Sequence, residues 1–400
     1  MSKPDDADST TQIPRRAATA ASLPGAIVLV VLGMDMFIIQ PGFVQGLVEH
    51  GGYDASQAGL IASTEMFGIA ATTVLMMWLT SRVDWRRIVQ VALLMAAVAN
   101  LLSLTAHSAV QFACWRFVVG MASGLLISVG YAVAGLTPKP DRSFGWLITW
   151  VLVYGAAGLL GLPALLSTVG IAGVLVILAC AAAAGFGAVR LLPRGAPVDT
   201  AASHTTRDKP ALMRFLLLGA VLCYFLGQGS LWAYLSLIGV ADGGSEQEVA
   251  TALTVAQFLG IAGAMTAATA GTRMRHLTSM LAGIIGGTVP VLLFLQPGAL
   301  LFAVAVGVFN FAANFITPLL MGVVAKGDAS GKLVVYSVAL QMLGLALGPA
   351  LAALVIRPDD YTLVIYLGIA LFLLCLALVI PPVIAQARDA ASLKVQTVGR

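Results

Sequence analysis

Long apolar runs separated by short polar connections make up most of this chain. Each run is long enough to cross the roughly 30 Å hydrocarbon core of a bilayer as an α-helix. The runs are apolar around the whole helix instead of along one stripe, which is typical of helices surrounded by lipid or by other helices. The pattern predicts an all-α membrane protein with twelve transmembrane helices, at residues 24–48, 55–80, 87–106, 109–136, 143–168, 170–193, 211–240, 247–270, 277–296, 298–324, 332–356 and 361–386.

The composition agrees with this pattern and excludes a soluble protein. Hydrophobic residues make up 59% of the chain and charged residues only 10%. The cysteines lie within apolar runs at spacings unlike those of metal ligands, and the histidines are scattered at span ends and in loops. No phosphate-binding, hydrolase or metalloprotease motif is present, so we expect neither an enzyme nor a bound cofactor.

The basic residues are distributed unevenly between the two sides. Of the 22 Lys and Arg residues, 20 lie before the first span, after the last, or in every second connection and the span ends that border it. Lys and Arg in short loops stay on the cytoplasmic side of a membrane. We therefore expect a multi-pass protein of the cell's inner (plasma) membrane with both termini in the cytoplasm. The net charge of +4 follows from this bias, and no nucleic-acid partner is expected.

A polar segment at 194–210 divides the chain into two similar parts. GLLGLPALL in the fifth span resembles GLALGPALAAL at the matching place in the eleventh. Duplicated six-helix halves are a recurrent plan among secondary transporters, which hold their substrate between the halves. The predicted organisation is a disordered cytoplasmic tail at 1–23, a six-helix bundle at 24–193, a cytoplasmic linker at 194–210, a second six-helix bundle at 211–386 and a cytoplasmic tail at 387–400.

Two motifs add a family resemblance that extends over residues 24–386. MWLTSRVDWRR at 77–87 is similar to the turn between spans two and three of the major facilitator superfamily, and RFVVGMASG at 116–124 resembles span four of its proton-coupled members. The resemblance implies two pseudo-repeat bundles, alternating access, a small-molecule substrate and a functional monomer surrounded by membrane lipids. It also implies a cytoplasmic gate at Arg82, Asp84 and Arg86. Because Ser81 replaces the family's acid in this turn, a basic turn without a gating role is the alternative.

Charged residues deep in the predicted spans are few. Asp35 in the first span and Glu65 in the second are the only deep acids, and Arg116 lies inside the fourth span. Gly120 and Gly124, which follow Arg116, are four residues apart and so line one helix face, which predicts close approach of a neighbouring helix. Deep charges are costly in a membrane unless they face a cavity or a counter-ion. We expect proton coupling, with Asp35 as the principal proton carrier, Glu65 as a second titrating or substrate-contacting acid, and Arg116 as the cation that tunes them. The alternative is a static ion pair that aligns the helices.

The C-terminal half contains neutral polar residues in place of charges. Amides and aromatic side chains suit an amphipathic organic molecule, although they also serve as hydrogen bonds between helices. The candidate substrate-binding residues, together with one from the first span, are Gln40, Gln228, Trp232, Tyr234, Gln257, Asn310, Asn314 and Gln341.

These features together predict a secondary active transporter. The favoured function is proton-coupled efflux, by antiport, of a small amphipathic organic compound. Proton-coupled uptake of an organic nutrient by symport uses the same groups, and transport of a lipid or lysolipid is a third possibility. Neither the identity of the substrate nor the direction of transport follows from the residues.

Overall fold

A computed structural model describes residues 22–79, 83–137, 140–193, 210–270, 276–325, 332–358 and 360–398. Within them the chain is helical, without a strand, apart from an isolated bridge between Arg357 and Asp360. The predicted tail at 1–23 and linker at 194–210 lie almost wholly outside the described residues, as does Arg82. The helices are α1 (Leu23–Glu49), α2 (Ala55–Leu79), α3 (Trp85–Ser103), α4 (Ala109–Gly135), α5 (Pro140–Ala184), α6 (Phe186–Val189), α7 (Ala211–Ala241), α8 (Glu246–Ala270), α9 (His276–Val291), α10 (Ala299–Ala325), α11 (Lys332–Val355) and α12 (Thr362–Val398).

The helix order agrees with the predicted all-α membrane fold. Ten helices of the described chain are long and apolar enough to cross a membrane, and Met280–Leu295 forms a shorter apolar helix. α5 contains two predicted spans, because Gly170 interrupts it with φ 64° and ψ −175°. Glycine adopts a positive φ without steric cost. Gly170 lies at the boundary that the apolar pattern predicts between spans five and six, and the helix breaks at that residue. The arrangement is consistent with twelve crossings.

α12 extends further than the apolar pattern indicates. The last span is predicted to end at residue 386, but the helix continues to Val398. The backbone of most of the predicted C-terminal tail is therefore helical.

The two halves contact each other mainly near one end of the bundle. We call the end with the α1–α2, α7–α8 and α11–α12 connections the outer end, and the opposite end the inner end. Hydrogen bonds between the halves join α1 to α7, α2 to both α7 and α11, and α5 to α8. Among the described residues, these bonds and one from Ser63 to the backbone oxygen of Ala346 lie between the middle of the helices and the outer end. The outer end is thus closed in this structure.

Candidate functional site

An ion pair is buried between α2 and α4. Arg116 donates from Nε to Oε2 of Glu65 at 2.9 Å and from a terminal nitrogen to Oε1 at 2.6 Å. The side chain of Arg116 is 0% exposed and that of Glu65 is 1% exposed. This two-point contact satisfies both carboxylate oxygens, and such bidentate pairs are among the stronger hydrogen-bonded arrangements in proteins.

Glycines bring the two helices close enough for this pair to form. Gly120 lies one turn after Arg116 and on the same face of α4. A Cβ atom at Gly120 would overlap the backbone oxygen of Glu65, and one at Gly124 would overlap Oγ1 of Thr72. The close approach expected from the Gly-x-x-x-Gly spacing is confirmed, and it places the guanidinium of Arg116 beside Glu65.

Two further side chains complete the surroundings of Arg116. Asn100 of α3 accepts from the second terminal nitrogen of Arg116 at 2.7 Å and donates to the backbone oxygen of Ala96 at 2.9 Å. The ring of Phe43, from α1, lies 5.5 Å from the central carbon of the guanidinium. Four helices therefore meet at one neutralised charge pair.

Asp35 differs from Glu65 because no basic side chain in the described part of the chain binds it. Its only hydrogen bond among the described residues comes from the backbone N–H of the next residue, Met36, at 2.6 Å. The side chain is half-buried on α1. It lies within electrostatic range of Glu65, Arg116 and Tyr154. The structure thus brings all three predicted charged residues to one region, but it pairs only two of them.

Several of the predicted substrate-binding amides have unused hydrogen-bonding atoms. Among the described residues, Gln40 Nε2, Gln228 Oε1 and Gln257 Nε2 are buried without a partner. Gln257 Oε1 accepts weakly from Asn310 at 3.4 Å, and Asn314 donates to the side chain of Asn310 at 2.9 Å. A buried polar atom without a partner is costly. These amides therefore have the capacity to bind water or a ligand.

The predicted aromatic residues connect the halves to each other. Trp232 Nε1 donates to the backbone oxygen of Phe37 at 3.0 Å, and the Tyr234 hydroxyl donates to the backbone oxygen of Ala55 at 3.1 Å. Tyr234 is 0% exposed and Trp232 is 7% exposed. Gln341 lies half-buried on α11. In this conformation the two aromatic side chains act as contacts that close the outer end.

The described residues of the predicted cytoplasmic gate make contacts within the N-terminal half. Asp84 caps α3 by accepting from the backbone N–H of Arg86 at 3.3 Å. Arg86 donates from Nε to the backbone oxygen of Leu192 at 3.0 Å and from a terminal nitrogen to that of Arg190 at 3.1 Å. Among the described residues, neither Asp84 nor Arg86 contacts the C-terminal half, because the contacts between the halves lie between the middle of the helices and the outer end.

Residues 25–220 match the sequence model described as Major Facilitator Superfamily. The matched segment contains the α2–α4 ion pair, Asp35 and nearly all of the N-terminal half. Residues 25–220 belong to the major facilitator superfamily. The protein is therefore a multi-pass membrane transporter and not an enzyme, and its resemblance to this superfamily is confirmed. No curated protein matches the sequence.

Solved structures of superfamily transporters share the fold over nearly the whole chain. A mutant of the nucleoside transporter NupG has a TM-score of 0.72 at 13% identity over 90% of this chain and 99% of its own. The POT family transporter PepTSo has a TM-score of 0.67 at 13% identity over 96% and 99%. A bacterial homologue of the human lysosomal transporter Spinster, inward-facing and unoccupied, has a TM-score of 0.61 at 16% identity over 92% and 95%.

Some residues of the site were not predicted from the sequence. Asn100 is an amide surrounded in sequence by apolar residues in the third span, and Phe43 is one of many apolar residues in the first. The isolated polarity of Asn100 was a usable signal. Nothing distinguished Phe43 from its neighbours, because its contact with Arg116 depends on how α1 crosses α4.

Proposed function

We propose that this superfamily member is a proton-coupled exporter that exchanges protons for a small amphipathic organic compound, with Asp35 as the proton carrier. The observation that carries the proposal is the contrast between two acids that lie deep in the first and second helices. Arg116 neutralises Glu65 through both carboxylate oxygens, whereas Asp35 has no basic partner among the described residues. An unpaired carboxyl group in a membrane protein is free to bind and release a proton as its access changes.

In this proposal Glu65 and Arg116 act mainly as a fixed electrostatic support for Asp35. Their pair contributes no net charge, and it holds α2 and α4 beside the first helix. Any movement that brings Arg116 closer to Asp35 would favour the ionised carboxylate, and separation would favour the protonated form. The coupling residues would therefore be Asp35 as carrier and the Glu65–Arg116 pair as its tuning element.

The amides supply the neutral part of the proposed binding site. Among the described residues, Gln40, Gln228 and Gln257 each have a buried polar atom without a partner, Asn310 contacts Gln257, and Asn314 contacts Asn310. A ligand with an apolar body and a few hydrogen-bonding groups would provide partners for these polar atoms. A basic or hydrogen-donating group on that ligand would compete with a proton for Asp35, and this competition gives exchange.

The similar structures are compatible with proton coupling but do not fix its direction. One of them is a proton-dependent oligopeptide transporter, with a TM-score of 0.68 at 12% identity. Uptake by symport would use the same Asp35. We place the protein in the inner membrane with both termini in the cytoplasm, following the distribution of basic residues. The closed outer end then corresponds to an inward-facing state.

Everted membrane vesicles test this function directly. The vesicles are energised to an acidic interior, and a pH-sensitive dye reports the gradient while lipophilic cations, aromatic acids and sugars are added one at a time. Antiport predicts that particular compounds collapse the gradient. Asp35→Asn should abolish the response while leaving the protein folded. Asp54→Asn is the matched control, because Asp54 lies in the outer α1–α2 connection and asparagine can still cap α2 as Asp54 does.

The outcomes of this experiment distinguish proton-coupled export from uptake by symport and from lipid transport. A wild-type response that survives in Asp35→Asn would overturn the role of Asp35. No response to any compound, combined with gradient-driven accumulation of a nutrient in right-side-out vesicles, would replace export with symport. Movement of a labelled lysolipid without a proton response would favour lipid transport.

A further inference from the structure

Two carboxyl groups from opposite halves meet at the outer end. Glu49 is the last residue of α1, and Glu246 is the first residue of α8. Their carboxyl oxygens and a nitrogen of His50 all lie within 4.8 Å of one another. The two carboxyl groups are close enough to share a hydrogen bond. Gln45, one turn earlier in α1, donates from Nε2 to Glu49 at 3.1 Å.

We propose that Glu49 and Glu246 form a proton-sharing latch that holds the outer end closed. Two ionised carboxylates at this distance repel each other, whereas a pair that shares one proton is joined by a hydrogen bond. Because the two residues belong to different halves, the pair exists only while the outer end is closed. Closure therefore binds a proton, and opening releases it to the outer solution.

Among the described residues, no Lys or Arg side chain lines the cleft beside the pair, so the shared proton is not replaced by a fixed positive charge. This cleft lies beneath the pair and is lined by Gln45, Leu159, Leu162, Ser236 and Glu246 among others. The other acids near the start of α8 are Asp242 and Glu248, and Glu248 accepts from the hydroxyl of Ser245 at 2.8 Å. His50 is the only base in contact with the pair among the described residues, so its own protonation must be tested separately.

A second observation points to a proton path at this place. Ser236 of α7 is 2% exposed and lines the cleft. Its side chain makes no hydrogen bond among the described residues. A hydroxyl that lines the cleft with Glu246 can bind a water molecule, which would connect the carboxyl pair to the cleft.

The latch goes beyond the proposed function, because it does not depend on Asp35 or on the substrate. It requires only that the halves separate at the outer end during alternating access. An acidic outer solution would favour the closed outer end. This is the direction needed by an exporter that loads protons from outside before it turns inward.

The distance between the halves at the outer end tests the latch. Spin labels at Thr105 and Gln296, which are exposed in outer connections of the two halves, would be introduced after replacement of Cys114, Cys180, Cys223 and Cys375. Double electron–electron resonance would then be recorded in the presence of a chelator between about pH 5 and about pH 8. We expect the closed population to fall as pH rises, by at most about tenfold in the closed-to-open ratio per pH unit for one proton.

Substitutions in the pair should remove this pH response. Glu49→Gln and Glu246→Gln each provide an amide that donates to the remaining carboxylate without a shared proton, so both should stay closed at high pH. Glu246→Lys should also stay closed, because an ion pair replaces the shared proton. Glu248→Gln, in the same turn of α8, is the matched control and should respond to pH as the parent does.

Three results would overturn the proposal. The first is an unchanged pH response in both glutamine variants. The second is loss of the response in His50→Gln with both carboxyl groups intact, which would assign the effect to histidine. The third is closure that requires an added divalent cation instead of a proton. Because the readout is a distance and not transport, failure of the latch is distinguishable from failure of the proposed export.

Discussion

Arg116 binds both carboxylate oxygens of Glu65, at 2.9 Å from Nε and 2.6 Å from a terminal nitrogen, where α4 crosses α2. The same guanidinium donates to Asn100 at 2.7 Å. This contact joins three helices through one fully buried cation. It also leaves Asp35 as the neighbouring acid without a basic partner among the described residues.

Removing one member of the buried pair should destabilise the protein more than removing both members. Arg116→Ala leaves Glu65 buried without a partner, at an expected cost of about 3–5 kcal/mol. Arg116→Lys should recover only part of this loss, because an ammonium group does not present the planar fork that reaches both oxygens and Asn100. Thermal unfolding of the purified protein in detergent measures the difference.

The double variant Arg116→Met with Glu65→Leu is the control for this prediction. It removes both charges and should be more stable than Arg116→Ala. Additive losses, with no coupling between the two positions, would contradict the interpretation that the two side chains act as one unit.

Gly120 should tolerate no side chain, because a Cβ atom there would overlap the backbone oxygen of Glu65. We expect Gly120→Ala to cost about 1–3 kcal/mol by overpacking the contact between α2 and α4. Gly161→Ala is the matched control, since a Cβ atom at Gly161 meets nothing within 4 Å. That change should be neutral or stabilising by about 0.4–1 kcal/mol. Equal midpoints for the two alanine variants in thermal unfolding would be inconsistent with the packing described here.

The Tyr234 hydroxyl should favour the closed outer end. It donates to the backbone oxygen of Ala55 in the opposite half at 3.1 Å. Tyr234→Phe removes one hydrogen bond, worth about 0.5–1.5 kcal/mol, and should lower the closed-to-open ratio by about twofold to tenfold. The distance between spin labels at Thr105 and Gln296 reports this ratio.

Tyr224→Phe is the comparison for this change. The Tyr224 hydroxyl contacts the backbone oxygen of Ala313 at 3.5 Å, within the C-terminal half. Its loss should leave the outer distance unaltered. If the two phenylalanine variants shift the distance equally, the contact between the halves is not the cause.

Asp242, at the end of α7, should make stability depend on pH. Burial raises the pKa of Asp242 from its ordinary value of 3.8 to about 6, and one of its oxygens has no hydrogen-bond partner. A raised pKa means that the folded state binds the proton more tightly than the unfolded state. The stabilisation is therefore fully present below about pH 4 and is lost as the pH rises through about 6.

Asp242→Asn should flatten this dependence and raise the unfolding midpoint near neutral pH. Asp360 provides a control of opposite sign, because hydrogen bonds from Thr362 lower its pKa. Its contribution is present above its ordinary pKa and is lost as the pH falls. A series of melting curves across this pH range distinguishes the two carboxyl groups, and an unchanged slope in Asp242→Asn would contradict the prediction.

The sequence was sufficient to predict the helical membrane architecture, because insertion of a helix into a membrane depends on the length and apolar character of its own segment. The length and apolar character of each run predicted where helices lie, and Gly170 separated two spans that are otherwise one apolar stretch. The last span was predicted to end at residue 386, and the apolar part of α12 ends there, whereas the helix itself continues to Val398 because polar residues do not prevent it from continuing. The Gly-x-x-x-Gly spacing after Arg116 predicted a close helix contact, and the structure has one.

The sequence also identified the charged residues that matter, since a charge deep in an apolar run is costly wherever it lies. Which acid Arg116 neutralises was decided only by the tertiary structure. Depth along a helix does not specify the direction of a side chain relative to other helices, and Asp35 and Glu65 were equivalent by that measure. For the same reason, only the packed halves bring Tyr234 to Ala55 and Glu49 to Glu246, contacts between residues about two hundred positions apart.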